Sequence, residues 1–139
     1  MLPIEKYENI QQAIDNLKEW QLRLGLNNWA IKIEFCEPHE FVGDNRDGEC
    51  EYGLGCKSAV IRILKQQYYG DRLIKYCAER ILVHELLHCA WGHLGTNSDG
   101  RNRLLHSIQE DMARALICAK YNIDFDWFFN IHYDKEDTA

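Results

Sequence analysis

The sequence lacks three features that would each have indicated a class of protein. No apolar run reaches the roughly 18–20 residues that a membrane-spanning helix needs. The segment from Met1 to Lys6 shows no signal-peptide pattern. No basic stripe stands out, and the formal net charge of −6 disfavours a general binder of nucleic acid or of anionic membranes. We therefore expect a cytoplasmic protein with no membrane partner, for which nucleic acid is an unlikely ligand.

The cysteines lack the Cys-x-x-Cys spacing of redox and zinc-ribbon motifs. Together with the missing secretory signal, this spacing indicates reduced thiols, most of them buried. A second metal site at Cys50 and Cys56 would have a spacing that matches no recognised motif. The six cysteines are Cys36, Cys50, Cys56, Cys77, Cys89 and Cys118.

The length and composition are those of one soluble globular domain. The chain has 139 residues, of which 46% are hydrophobic and 27% are charged. A chain of this size can bury a sizeable core without disulfides. We expect a single domain over residues 1–139, with a polar carboxyl-terminal tail from about residue 134.

Hydrophobic periodicity predicts an α+β fold with three long helices and three strands. The helices are predicted at 5–24, 72–91 and 101–121, the second capped by Asp71. The strands are predicted at 28–36, 49–56 and 57–64. We expect an amino-terminal helix, a small, twisted, mainly antiparallel three-stranded sheet, a central helix and a following helix. A short helix is expected in the aromatic segment 124–131, and the loops 37–48 and 94–100 are expected to border a cleft.

The last long helix carries two arcs of inward-facing residues in this interpretation. Its main core stripe is predicted to be Leu104, Leu105, Ile108, Met112, Ala115 and Ala119. A second inward arc is predicted to hold His106, Glu110, Ala113 and Ile117. Asp111 falls on the remaining, solvated arc.

The central helix contains the motif His84-Glu85-Leu86-Leu87-His88 inside an otherwise apolar run. Residues four apart lie on the same face of a helix, so His84 and His88 can each offer one imidazole nitrogen to a single Zn²⁺. Glu85 is rotated by about 100° from His84 and flanks the metal, where it can take a proton from a zinc-bound water. The same motif is also compatible with a buried helix that binds no metal, in which both histidines are hydrogen-bonded and the glutamate is paired.

Catalytic zinc sites use three protein ligands and leave one position for water, so a third ligand is needed. Glu110, on the last helix and on its second inward arc, is the first choice, because a buried glutamate there needs a partner. His106 lies one turn before Glu110 and is an alternative. His93 is another, if the chain turns back at Gly92, and a site without a third ligand stays open.

These residues resemble small zinc metallopeptidases of the gluzincin type, most of all the uncharacterised metallopeptidases encoded by phages and prophages. The resemblance lies in Val83 to His88 and in Gln109 to Leu116, with looser matches over about residues 8–120. It implies a minimal zincin-like fold, one Zn²⁺ per chain held by His84, His88 and Glu110, and Glu85 as general base. It also implies a host cytoplasm if the chain is phage-encoded. The immunity-repressor-cleaving proteases of mobile elements are a more distant match.

The chain departs from larger gluzincins in two ways. It lacks a whole second domain, and no side chain can be matched to their oxyanion-stabilising residue. The available side chains are Tyr68, Tyr69, Tyr76, His93, His106 and His132. SprT-like, DNA-associated metalloproteases are the second family considered, since they use a third histidine that His106 could mimic.

The sequence therefore supports one main hypothesis and two rivals. The main one is a zinc metallopeptidase that hydrolyses a peptide or protein substrate, from the host or a phage, with the strand at 49–56 receiving the peptide along its edge. The second is a zinc-containing binding module without turnover. The third is a helical domain without a metal.

Overall fold

The computed structural model describes residues 1–43, 46–94 and 98–131, except for the side chains of His93 and Asp99. Its first helix, α1, spans Ile10–Arg23. The helix begins there because the Asn9 side chain accepts a hydrogen bond from the Gln12 backbone, as an N-cap does. The apolar stripe includes Ala13, Leu17 and Trp20, which are almost fully buried. The predicted start at residue 5 was five residues too early.

The sheet has three strands, β1 at Ala30–Cys36, β2 at Gly48–Gly53 and β3 at Ser58–Leu64. Their order is β1-β3-β2, with β1 parallel and β2 antiparallel to β3. The sheet is therefore mixed, and the expectation of a mainly antiparallel sheet is correct for one of its two strand pairs. An alternating pattern gives the faces of a strand but not its direction, so it could not reveal the parallel pair. Within the described residues β2 is an edge strand.

The central helix, α2, spans Ala78–Trp91 and starts six residues later than predicted. The backbone of the amino-terminal segment caps it, since the amides of Ala78 and Glu79 donate to the carbonyls of Glu5 and Ile4. Asp71 is therefore not its cap. The segment before α2 pairs instead with the chain after the last helix, through an isolated bridge between Ile74 and Phe129.

Residues 78–87 of α2 are all buried, which confirms that this helix is central. They include ionisable side chains that a core accepts only with partners. Glu79, with no exposed surface, accepts hydrogen bonds from the amino-terminal segment, from α1 and from the last helix. Its donors are Ile4 N, Asn16 Nδ2, Trp20 Nε1, Lys120 Nζ and Tyr121 Oη.

The last long helix, α3, spans Asp99–Tyr121, from a Ser98 cap to Asn122 in the left-handed conformation. The residues it buries fully are Gln109, Ala113 and Ile117. The predicted main core stripe is wrong, because Leu104, Ile108 and Met112 are 63%, 45% and 38% exposed. Of the arc predicted as secondary, Ala113 and Ile117 face the core, Glu110 is half-buried and His106 is exposed.

After α3, one helical turn at Phe125–Phe128 buries Phe128 against the body, as expected for the aromatic segment. The predicted polar tail from about residue 134 lies outside the described residues.

All six cysteines are free. The Sγ atom of Cys50 lies 3.8 Å from the Sγ atom of Cys89. Among the described residues, no helix has the length and apolar character needed to cross a membrane.

Candidate metal centre

Helix α2 brings the motif histidines to one face, as its spacing predicted. His84 is 6% exposed, and its ring centroid lies 5.5 Å from that of His88. Both rings are placed by a backbone that is buried on nearly every side, so the elements around the helix limit their motion. The two imidazoles are thus placed where both can contribute to a candidate metal site.

Helix α3 adds His106 to this pair. Its Nε2 lies 3.0 Å from Nε2 of His84, and the rings of His88 and His106 are 6.1 Å apart between centroids. One ring nitrogen from each of the three histidines falls within 4.8 Å of the others, which is a group that can hold a metal ion. Two nitrogens at about 2.0–2.1 Å from a tetrahedral Zn²⁺ would be roughly 3.3 Å apart. The separation between His84 and His106 is close to that value, so this pair of donors fits such an ion.

Glu110 lies beside this group and not in it. Its Oε2 is 2.6 Å from Nδ1 of His84, and its Oε1 accepts a hydrogen bond of 2.9 Å from Arg80. Nδ1 is the ring nitrogen opposite the one that faces His106, so Glu110 contacts the back of the His84 ring. The family resemblance implies Glu110 as a ligand; in the structure Glu110 contacts the nitrogen of His84 that faces away from His106, and His106 is the third member of the histidine group.

The remaining alternative for the third ligand was His93. The backbone of His93 continues α2 as a helical turn at Gly92–Leu94. Its side chain lies outside the described residues, as does the whole of His132. The group of three histidines is therefore the one defined by the part of the chain that the structure describes.

The charges around the group favour neutral imidazoles at two of the three positions. Burial and the neighbouring His84 lower the pKa of His88 to about 4, and the same two causes lower the pKa of His106. Burial also acts to lower the pKa of His84, but the hydrogen bond to Glu110 outweighs it and the pKa is raised. A neutral imidazole has the free lone pair that a metal needs.

Glu110 stays ionised beside His84. Burial acts to raise its pKa, but the hydrogen bond with His84 and the charge of Arg80 outweigh burial and lower the pKa to about 2. Arg80 is itself 4% exposed and stands one turn before His84 on the same helix. Sequence reasoning missed Arg80, although its position four residues before the first motif histidine could have indicated it.

Glu85 lies next to the histidine group in a dry environment. It is 5% exposed, burial raises its pKa to about 7, and its Oε1 lies 3.7 Å from Nε2 of His88. It borders a cavity of about 360 Å³ that is also lined by His84, His88 and His106. A carboxylate beside a metal-ligand trio and facing a cavity can exchange a proton with a molecule bound there.

The edge strand β2 passes over this site at both of its ends. At Gly48, an added Cβ would lie 2.9 Å from Oε2 of Glu85, so a glycine is needed for the close approach. Tyr52, four residues further along β2, stacks on His88 with ring centroids 6.5 Å apart. Sequence reasoning missed Tyr52, and only its place beside Gly53 in the predicted edge strand hinted at it.

A second cavity of about 420 Å³ shares His88 and His106 with the first and is also lined by Tyr52, Trp91 and Leu105. Of the aromatic side chains considered for oxyanion stabilisation, Tyr69 and Tyr76 donate to the backbone carbonyls of Ile74 and Leu64. The lining of the two cavities includes neither of them, nor Tyr68. Of the candidates whose side chains are described, His106 alone lies at the site.

A second group with suitable atoms, Glu37, His39 and Glu40, lies half-buried to exposed at a helical turn after β1. The side chain of His39 is 75% exposed, as is typical of a surface histidine.

Comparison with protein-family models, with curated proteins and with solved structures found no match for this chain.

Proposed function

We propose that the chain is a zinc metallopeptidase whose metal is held by His84, His88 and His106, with Glu85 as general base. The observation that carries the proposal is the meeting of three ring nitrogens within 4.8 Å, next to the buried carboxylate that follows the first of them. Three nitrogen ligands and an open position are the pattern of a catalytic zinc site. Imidazole also suits other transition metals, so metal content is part of the test.

The chemistry divides between the metal and the chain. Zinc bound there would lower the pKa of a water toward 7 and stabilise negative charge on the substrate carbonyl. Glu85 takes the proton of the attacking water and returns it to the leaving amine. Glu110 holds the His84 ring through Nδ1, so that Nε2 keeps its lone pair toward the trio.

The peptide is received along β2 in this proposal. Within the described residues β2 pairs only with β3, so its outer edge offers free backbone groups. Gly48 lines the cavity beside Glu85, and Tyr52 lines the second cavity, which shares His88 and His106 with the first. A strand added to this edge would therefore cross the histidine trio.

The test combines metal analysis with a cleavage screen. Protein purified without a metal-affinity tag should contain about one zinc per chain, and His84→Ala and His106→Ala should lose it. Wild type and Glu85→Gln are then incubated with a peptide library digested from a cell lysate, and the products are read by mass spectrometry. We expect cleavage by wild type alone, while Glu85→Gln retains zinc. A wild-type protein that takes up no zinc when it is supplied, or a Glu85→Gln variant that cleaves equally well, contradicts the proposal.

The histidine trio also favours one alternative, a SprT-like, DNA-associated metalloprotease, because that family uses a third histidine. The net charge of −6 weighs against contact with DNA. Cleavage that requires added single- or double-stranded DNA would support this alternative. Zinc binding without cleavage of any library peptide would support a zinc-containing binding module instead.

A further inference from the structure

Helix α3 exposes an apolar seam on the side away from the core. Leu104, Ile108 and Met112 are 63%, 45% and 38% exposed, Ala119 is exposed, and Leu105 and Ala115 are half-buried. Monomeric domains rarely leave a contiguous apolar strip of this length uncovered. The seam is therefore a candidate contact surface for another helix.

The spacing of the seam is that of a two-helix contact. Leu105, Ile108, Met112, Ala115 and Ala119 follow one another at intervals of three, four, three and four residues. That alternation is the heptad pattern of helices that pack side by side. The partner of this face is therefore expected to be a helix and not a strand or a small ligand.

The sizes of the seam residues set the direction of the partner if it is a second copy. The amino-terminal half carries the large side chains Leu105 and Ile108, and the carboxyl-terminal half carries Ala115 and Ala119. In an antiparallel pair centred on Met112, positions equally far from the axis meet, so Leu105 faces Ala119 and Ile108 faces Leu116, next to Ala115, of the other copy. At both ends of the seam the large side chain of Leu105 then fills the space left by the small Ala119. A parallel pair would crowd one end and leave the other loosely packed.

The charges beyond the seam agree with the antiparallel direction. Arg101 and Arg103 are exposed near the start of α3, and Asp124 and Asp126 are exposed just after its end. Antiparallel pairing brings the arginines of each copy to the aspartates of the other, twice over by symmetry. A parallel pair would bring like charges together at both ends.

We propose that a second copy of this chain docks antiparallel on the α3 seam, with the two-fold axis at Met112. The proposal does not rest on the metal centre or on peptidase activity. Leu105 also lines the cavity beside His88 and His106, so the interface borders the candidate site.

The test is the mass of the full-length protein in solution, measured by sedimentation equilibrium at several concentrations with a phosphine reductant to keep thiols reduced. Wild type should approach twice the 16.4 kDa mass of one chain as concentration rises. Met112→Lys places two ammonium groups at the axis and should shift dimerisation to at least tenfold higher concentration. Ser107→Lys, an exposed position on another face of α3, is the matched control and should leave the dimer intact. Circular dichroism confirms that both variants are folded.

Charge reversal tests the direction. Arg101→Glu with Arg103→Glu should weaken the dimer, and adding Asp124→Lys with Asp126→Lys should restore it. A wild type that stays monomeric at all concentrations overturns the proposal, as does a dimer that Met112→Lys leaves unchanged. A dimer that is lost with Met112→Lys but is not restored by the combined charge reversal overturns the antiparallel direction.

Discussion

Glu110 accepts a hydrogen bond from Nδ1 of His84 at 2.6 Å, on the side of the ring opposite His106. One imidazole thus contacts a carboxylate with one nitrogen and the histidine group with the other. The carboxylate fixes the orientation of the ring and raises the basicity of the outward nitrogen. The two residues considered for the third ligand therefore contact opposite nitrogens of one ring, positions that suit His106 to the role of a ligand and Glu110 to that of orienting His84.

This division of roles predicts different losses of metal affinity. Glu110→Gln removes the charge and keeps the shape, so we expect zinc affinity to fall about 10–100-fold. His106→Ala removes a ligand and should cost more than Glu110→Gln. Competition with a fluorescent zinc chelator measures both affinities. Asp111→Asn, an exposed neighbour, is the matched control and should leave zinc affinity unchanged.

The opposite ranking would restore the ligand set that the family resemblance implied. If Glu110→Gln lost zinc as completely as His84→Ala while His106→Ala kept it, Glu110 would be the ligand. The contact between Glu110 and Nδ1 of His84 would then have to be replaced when the metal binds.

Gly48 provides the second prediction. A Cβ at this position would lie 2.6 Å from Cγ2 of Ile81 and 2.9 Å from Oε2 of Glu85, so Gly48→Ala must displace one of them. We expect the free energy of unfolding to fall by about 1–3 kcal/mol, as for an overpacked core. Cleavage of a peptide identified in the screen should fall by about 10²-fold, because a displacement of the base of about 1 Å has that effect. Zinc content should not change.

Gly55→Ala is the control for this prediction. A Cβ there meets no atom within 4 Å, and the backbone of Gly55 is not in the left-handed region. Urea unfolding and the cleavage assay are run on both variants in parallel. Equal stability and equal activity of Gly48→Ala and Gly55→Ala would show that the close packing of β2 against Glu85 is not needed for either property.

The buried carboxylate of Glu79 provides the third prediction. Burial acts to raise its pKa, but the hydrogen bonds from Tyr121, Ile4, Trp20 and Asn16 outweigh burial and hold the pKa below its usual value. Glu79→Gln leaves Lys120 without its buried anion, and we expect a loss of about 2–4 kcal/mol of unfolding free energy at pH 7. Glu51→Gln, at an exposed partner of Arg62, should cost less than about 1 kcal/mol.

The sign of the pH dependence follows from the lowered pKa. A carboxyl group with a lower pKa in the folded state stabilises the fold above its unfolded pKa of about 4.3. That contribution is lost as the pH falls through the folded value. The stability difference between wild type and Glu79→Gln should therefore shrink in urea titrations below about pH 4. A difference that stays constant down to pH 3 would contradict this account.

The sequence predicted the elements and half of the site because those depend on local pattern. The motif on α2 places His84, Glu85 and His88 by helical spacing alone. The α+β fold follows from the order in which helical and alternating patterns of apolar residues occur along the chain. The end of α2 at Trp91 is confirmed, but its predicted start is wrong because its cap comes from the backbone of Ile4 and Glu5, about 74 residues away in sequence. No local signal reveals such a cap.

The ligand role predicted for Glu110 stays a prediction, whereas the core face predicted for α3 is wrong, and both depend on how that helix is rotated. His106 and Glu110 lie one turn apart on one face, so helical spacing could not say which of them reaches Nε2 of His84. The rotation of α3 decides this, and the buried residues Gln109, Ala113 and Ile117 set that rotation. Hydrophobicity predicts the more apolar stripe of α3 as its core face, but Leu104, Ile108 and Met112 of that stripe are exposed in the structure.

The strand order also implies an order of folding events. The last of the described strands, β3, lies in the middle of the sheet, so the sheet cannot grow by adding strands as the chain runs. Four residues join β2 to β3, whereas β1 pairs with β3 across a separation of 28 residues, as in Ala30 with Ser58. Because short loops close at lower entropic cost, we expect the β2–β3 hairpin to form first and β1 to dock onto it. The strand that borders Glu85 would then belong to the folding nucleus of the sheet.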